Sequence, residues 1–188
     1  MSVFFWIVIA VALFYLVSVY NGLVEVKNAV SKAWANIDVL LKQRHDELPK
    51  LIDTCKQYMQ HEQETLERVI QARARVSSAR EAHNVGALGV AETALRSGLG
   101  QLFALAESYP DLKASEQFVQ LQSRISSLEN SIADRREFYN ESVNINNVRI
   151  EQFPGVLVAK FFNFKGFELL KFVAEELRDI DVAARFRS

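Results

Sequence analysis

Val3 to Tyr20 reads VFFWIVIAVALFYLVSVY, a run with no charge and only one weakly polar interruption, Ser18. A spanning helix needs roughly 20 apolar residues, with a lower limit of about 17. Hydrocarbon forces such a run into a helix, because no water is there to satisfy the backbone. The spacing predicts an N-terminal transmembrane anchor over residues 1–21, with a charged, soluble-looking body after it. A cleavable signal peptide would want a basic n-region, a shorter apolar core and a small-x-small cleavage site. Only Met1 and Ser2 precede this run, and Val19-Tyr20-Asn21-Gly22 offers no such site. The segment is apolar on every face, which disfavours a buried core helix.

The flanks set the orientation. Lys27, Lys32, Lys42 and Arg44 follow the span and nothing basic precedes it. The positive-inside rule then puts the body in the cytoplasm and the N-terminus outside. The lone Cys55 agrees with a reducing compartment.

What remains of the 188 residues is one domain's worth of chain. A net charge of −1 provides no global field for nucleic acid. Seven Gly and three Pro leave too little punctuation for a β-protein, so long helices are expected.

Ile37, Leu41, Leu48, Ile52, Cys55, Met59, Leu66 and Val69 keep one apolar phase across the interior Pro49. Pro49 removes a helical hydrogen bond and crowds the carbonyl of His45, so the helix must kink or break there. No Gly, Asn or Ser lies between Lys42 and Asp53 to make a turn, which favours a kink and a first helix reaching Ala82-His83-Asn84, with Asn84 or Gly86 ending it. A second helix is expected from about Ala87 to Ser108, before Tyr109-Pro110-Asp111. A third starts at the N-cap Ser115 and carries Phe118, Leu121, Ile125, Leu128, Ile132, Tyr139, Val143 and Ile150 on one stripe. It stops at Phe153-Pro154-Gly155. A last helix is expected from about Gly166 to Arg178. One-striped helices must bury their stripes against each other. The predicted fold is all-α: an N-terminal transmembrane helix, a long-helix, four-helix-bundle-like body over residues 22–153, and a Phe/Lys-rich C-terminal tail over 154–188.

The chain resembles the LemA family of bacterial membrane proteins. The likeness rests on Tyr20-Asn21-x-Leu23-Val24, Ala33-Trp34-x-Asn36-Ile37-Asp38-Val39-x-Leu41, Pro49-x-Leu51, His61-Glu62-x-x-Thr65-Leu66 and Ala72-Arg73. It continues in Ala106-Glu107-x-Tyr109-Pro110-Asp111-Leu112-Lys113-Ala114 and Glu129-Asn130-x-Ile132-Ala133-x-Arg135-Arg136-x-x-Tyr139-Asn140, then Val143, Asn146, Ile150 and Phe153-Pro154. His45 and Ser115 depart from it, standing where an aromatic residue and Asn are expected. The resemblance implies a single-span anchor in the bacterial cytoplasmic membrane carrying a helical-bundle domain, with no established activity or cofactor. Some members are associated with magnetosome membrane formation, which implies membrane organisation.

Glu62, Arg73, Glu107, Glu129, Arg136 and the stripe residue Asn146 are the candidate polar network, read as fixing helix register rather than as a catalytic or metal site. Carboxylate-bridged metal sites in bundles use Glu-x-x-His, which the sequence lacks. Three His and one Cys are too few for a zinc cage, and no phosphate-binding loop or nucleophile elbow is present. No catalytic, cofactor or metal residue is therefore assigned. The basic run Arg68, Arg73, Arg75 and Arg80 is offset by Glu62, Glu64, Glu67 and Glu81 and reads as a solvated face.

In the tail, Phe161, Phe162, Phe164, Phe167 and Phe172 are interleaved with Lys160 and Lys165, a pattern suited to a bundle plug, a partner contact or a membrane interface. The expected function is a non-enzymatic, membrane-anchored scaffold that forms homo-oligomers and organises membrane or membrane proteins. Its partners are the lipid bilayer, its own copies and other membrane proteins, with no nucleic acid or small-molecule substrate. The alternatives are a monomeric adaptor for a protease, transporter or signalling protein and, more remotely, a membrane-bound hydrolase or metal enzyme.

Overall fold

A computed structural model describes residues 2–172. The fold is all-α. Among the described residues there are six helices and no strand: α1 Ser2–Tyr58, α2 Gln63–Glu81, α3 Val85–Ala106, α4 Pro110–Lys113, α5 Glu116–Glu151 and α6 Gly155–Phe161. The apolar run opens α1, which by length and composition is able to cross a membrane. Nearly all side chains of that run are exposed on every side. No break follows it: the helix continues through Asn21-Gly22 and through Pro49.

The first helix nevertheless ends at Tyr58, well short of the expected Ala82. The chain turns at Gln60-His61-Glu62, a segment that holds neither Gly nor Pro. Met59 still donates its N–H to the carbonyl of Cys55 at 2.8 Å, then the chain turns and α2 restarts the stripe at Leu66. The next turn also differs from expectation. His83 takes the left-handed conformation, with φ 50°, and Asn84 closes α2 as expected of it, its N–H donating to the Ala79 carbonyl at 3.0 Å beside His83 N–H to the Arg80 carbonyl at 3.1 Å, but it serves the next helix as well. It caps α3, its Oδ1 accepting the N–H of Ala87 at 2.9 Å. Ser115 does cap α5, accepting from Phe118 N–H at 3.4 Å.

The described residues form two compact units. One contains residues 38–133 and 170–172. Here α1 contributes Leu41, Leu48, Leu51, Ile52 and Cys55, α2 contributes Leu66, Val69 and Val76, α3 contributes Leu88, Leu95, Leu99 and Leu102, and α5 contributes Phe118, Ile125 and Ile132, all buried. α2 and α3 lie close enough that a Cβ on Gly98 would stand 3.4 Å from Val69. Four helical segments around one apolar core make this part bundle-like.

The other unit contains residues 2–37 and 134–169. Leu23, Val158 and Ala159 form a small core against Val19, Tyr20, Ile150 and Phe164. Trp34 meets the ring of Tyr139 at 5.5 Å between centroids.

The expected helix from Gly166 is absent through Phe172, and its remainder, from residue 173, lies outside the described residues. Residues 164–172 form no regular element, and the helical turn comes earlier, as α6. Asn147 explains part of this. Its Oδ1 accepts the N–H of Phe167 at 3.0 Å and its Nδ2 donates to the Phe167 carbonyl at 3.0 Å, so both backbone groups are already taken.

Candidate functional site

Charge is concentrated in the core of the larger unit. Arg44 of α1 is 1% exposed and Glu92 of α3 is 2% exposed. Arg44 Nη2 donates to Glu92, and its Nη1 donates to Glu129 Oε1 of α5 at 2.5 Å. Arg96, one turn after Glu92, reaches the other oxygen of Glu129 at 3.3 Å. Two guanidinium groups and two carboxylates thus tie α1, α3 and α5 together. Burial alone would lower the pKa of Arg44, but Glu92 and Glu129 hold it above its ordinary value. Burial pushes the Glu92 carboxyl up against the opposing pull of Arg44. What this arrangement can do chemically is fix three helices in one register, since an isolated ion at this depth is far costlier than a paired one.

Of the polar residues read from the sequence, Glu129 alone stands in this tie. The others lie apart. Glu62 accepts from Tyr109 Oη at 3.2 Å, beside the turn before α2. Glu107 pairs with Lys113 across the short α4 segment, both exposed. Arg136 lies on the half of α5 that belongs to the smaller unit. Asn146 donates to the Lys165 carbonyl at 3.4 Å, and its buried Oδ1 has no hydrogen-bond partner among the described residues.

Arg73 has a different task. Its Nε donates to the carbonyl of His45 at 3.0 Å, and its Nη2 lies 2.7 Å from His45 Nε2. Burial first, and then the Arg73 charge, lower the pKa of His45. Cys55 is wholly buried, and burial pushes its thiol up to about 12, which keeps it an inert core residue.

Arg44 and Glu92 were missed by the sequence reading, although a signal was present. Arg44 falls in phase between Leu41 and Leu48, and Glu92 between Leu88 and Leu95. A charge inside an apolar stripe is the same cue that singled out Asn146.

The tail residues divide by position. Phe172 is buried and lies under the Arg96 guanidinium at 5.3 Å, in the larger unit. Phe162 meets Tyr20 at a tilt and Phe164 meets it edge-on, at 4.8 and 5.8 Å between centroids. Phe167 is half-buried, while Lys160, Phe161 and Lys165 are exposed. A cleft of about 460 Å³ in the smaller unit is lined by Tyr20, Lys27, Asn28, Phe164, Lys165 and neighbouring residues.

The LemA family model matches residues 33–184, most of the chain. The chain belongs to the LemA family. A relative named Protein LemA from Metamycoplasma hominis is 29% identical over 183 residues, 95% of this chain and 80% of that protein. Shorter likenesses extend to magnetosome proteins. MamQ 2 of Paramagnetospirillum magneticum is 30% identical over 37% of this chain and 25% of its own length. MamQ of Magnetospirillum gryphiswaldense is 31% identical over 38% of this chain and 26% of its own length. A LemA chain of this kind, then, couples one apolar N-terminal helix to an all-α body with an ion-paired core.

Proposed function

We propose that this LemA protein is a non-enzymatic, single-pass scaffold of the bacterial cytoplasmic membrane, N-terminus outside and helical body cytoplasmic, which self-associates and organises membrane or membrane proteins. The observation that carries the reading is the continuity of α1. The same uninterrupted helix supplies the exposed apolar run and then the core positions Leu23, Val30, Leu41 and Leu48. An anchor that runs on into Leu23 and Val30 connects their unit to the bilayer without a flexible linker. The basic residues after the run support the orientation.

Self-association draws support from a groove of about 640 Å³ between α2 and α3, lined by Ala74, Ala79, Ala87, Val90, Ala91 and Ala94. Small side chains let a second helix approach closely. Relatives named as magnetosome proteins fit a part in organising membrane. The adaptor reading rests on the exposed Phe161 and Phe162, which could seat a different protein.

The test is the mass of the full-length protein in nanodiscs and in mild detergent across a concentration series. A discrete oligomer that Val90→Glu dissociates supports the scaffold. A monomer at every concentration removes self-association and leaves the adaptor. Co-purification from native membranes, compared with a Phe161→Ser/Phe162→Ser variant, then tests that reading.

A further inference from the structure

We propose that α6 and the segment after it form a second contact with the bilayer, in which Lys27 and Lys165 bind the headgroup phosphate of an anionic phospholipid. The inference rests on the membrane-anchored reading of α1.

Position comes first. Val158 and Ala159 of α6 pack against Leu23, Val19 and Tyr20 of α1. Tyr20 ends the apolar run, so α6 is held at the level where the span leaves the hydrocarbon. The hydrocarbon is about 30 Å thick within a bilayer of about 40–45 Å, so each headgroup layer is about 5–8 Å deep. At about 1.5 Å per residue, the four or five residues after Tyr20 cross that layer. Nothing attached at residues 19–23 can avoid it. Lys27, about 10 Å past Tyr20 along the backbone, reaches back to the layer by its side chain, whose Nζ lies over Phe164, a ring that itself meets Tyr20.

The surface presented at that level is amphipathic. Phe153, Leu157 and Phe161 are 80%, 61% and 82% exposed and recur every four residues. Leu157 and Phe161 share a face of α6, and Phe153 stands just ahead of it. Three large apolar side chains in water would be costly, whereas in the interface they are buried. Phe153 lines one hollow with Tyr15, Ser18 and Val19 at the end of the span.

On the polar side, the cleft of about 460 Å³ is lined by Lys27 and Lys165 and by Asn28 and Asn163, whose side chains end in ammonium groups and carboxamides. These are donors of the kind that a phosphate accepts from. Lys27 Nζ lies 6.0 Å from the centroid of Phe164, which holds it over the aromatic floor of the cleft. Neither lysine pairs with a carboxylate among the described residues. Around the foot of the span, residues 2–28 and 149–167 carry Lys27, Arg149, Lys160 and Lys165 against only Glu25 and Glu151. That excess complements the anionic cytoplasmic leaflet.

The test uses the full chain in nanodiscs. In a Cys55→Ala background, nitroxides are placed at Phe161→Cys, at Leu13→Cys in the span and at Val119→Cys on α5. Collision with oxygen and with a water-soluble nickel chelate reports immersion. The expected pattern is lipid-like at 13 and 161 and aqueous at 119. An aqueous position 161 beside a lipid-like 13 overturns this proposal and leaves the anchor standing. An aqueous position 13 overturns the anchor itself. A position 161 shielded from both probes indicates a protein neighbour and overturns the lipid contact.

Lipid retained by the purified protein is then compared for phosphatidylglycerol and phosphatidylcholine. Preference for the anionic lipid should fall about thirtyfold in Lys27→Gln/Lys165→Gln, each lysine counting about fivefold. Both positions are exposed, and circular dichroism checks that the helices persist. Equal retention of the two lipids, or displacement of the lipid by inorganic phosphate alone, overturns headgroup recognition.

Discussion

Arg73 Nε donates to the carbonyl of His45 at 3.0 Å. That carbonyl is the acceptor four residues before Pro49, which has no N–H to offer it. An arginine from α2 therefore takes the place of the missing helical donor, and α1 runs on through its proline. This predicts energetic coupling. Arg73→Ala should cost about 2 kcal/mol, the range for a hydrogen bond from a charged group. In a Pro49→Ala background, where the helix supplies its own donor, the same change should cost under about 1 kcal/mol. Chemical unfolding of the four proteins of the cycle measures the difference. Equal costs in both backgrounds would mean that Arg73 acts elsewhere.

The same contact makes His45 sensitive to pH. Arginine offers only donors, so His45 Nε2, at 2.7 Å from Arg73 Nη2, must carry its lone pair and the ring must be neutral. Burial and then Arg73 lower its pKa below the ordinary 6.5. A depressed histidine contributes stability that is fully present above about pH 6.5 and is lost as pH falls through the folded value. Stability should therefore drop between pH 7 and pH 5, and the drop should shrink in His45→Phe. The imidazole NMR titration should have its midpoint below 6.5 and move up in Arg73→Ala.

How much of this was legible in the sequence depends on the scale of the signal. The apolar N-terminal helix, the third-helix stripe and the Ser115 cap were readable because each is a local pattern of several residues. The end of α1 was not read, because Gln60 to Glu64 contains neither Gly nor Pro, and its polarity does not set it apart from Lys42 to Glu47, which stays helical. The Arg44 tie was hidden for another reason. A charged residue in a stripe reads as a flaw until its partners, 48 and 85 residues away in Glu92 and Glu129, are brought beside it. The tail failed because residues 166–172 are helix-compatible locally, while Asn147 claims the backbone of Phe167.

Removing Arg44 from the tie by itself should be far more damaging than removing it together with Glu92 and Glu129. Arg44→Met leaves Glu92 buried without its main partner, and the cost of breaking such a pair is about 3–5 kcal/mol. The combined change Arg44→Met/Glu92→Leu/Glu129→Leu removes the charges together and should recover most of that loss. Thermal unfolding of the full chain in detergent ranks the variants. A triple variant as unstable as the single one would show that the tie does more than offset its own desolvation.

Asn147 should be required to hold the segment after α6. Its amide meets both the N–H and the carbonyl of Phe167, which only one orientation of the side chain can do. Asn147→Ala loses both hydrogen bonds to Phe167, of about 1 kcal/mol each, and the one its Oδ1 accepts from Asn146 Nδ2 at 3.2 Å. Amide exchange at Phe167 should speed up at least tenfold, while amides in the middle of α3 stay unchanged. Asn147→Asp keeps the acceptor and turns the donor into a repelling oxygen, so it should not restore protection.

Two glycines of α3 should respond to alanine with opposite signs. A Cβ on Gly89 would stand 2.1 Å from the carbonyl oxygen of Lys171, backbone that cannot step aside like a flexible side-chain tip. Gly89→Ala must push away residues 170–172, and with them the buried Leu170 and Phe172. Phe172 would then leave the Arg96 guanidinium, at 5.3 Å. Burying one such aromatic is worth about 1.5–3 kcal/mol, which sets the scale of the expected loss. At Gly100 an added Cβ meets nothing within 4 Å. Gly100→Ala therefore gains only helix propensity and should stabilise the protein by about 0.5–1 kcal/mol. The two variants share a helix, a residue type and a chemical change, so their difference isolates the close approach of Lys171. Chemical unfolding gives both values, and equal responses would show that residues 170–172 do not hold to α3 in solution.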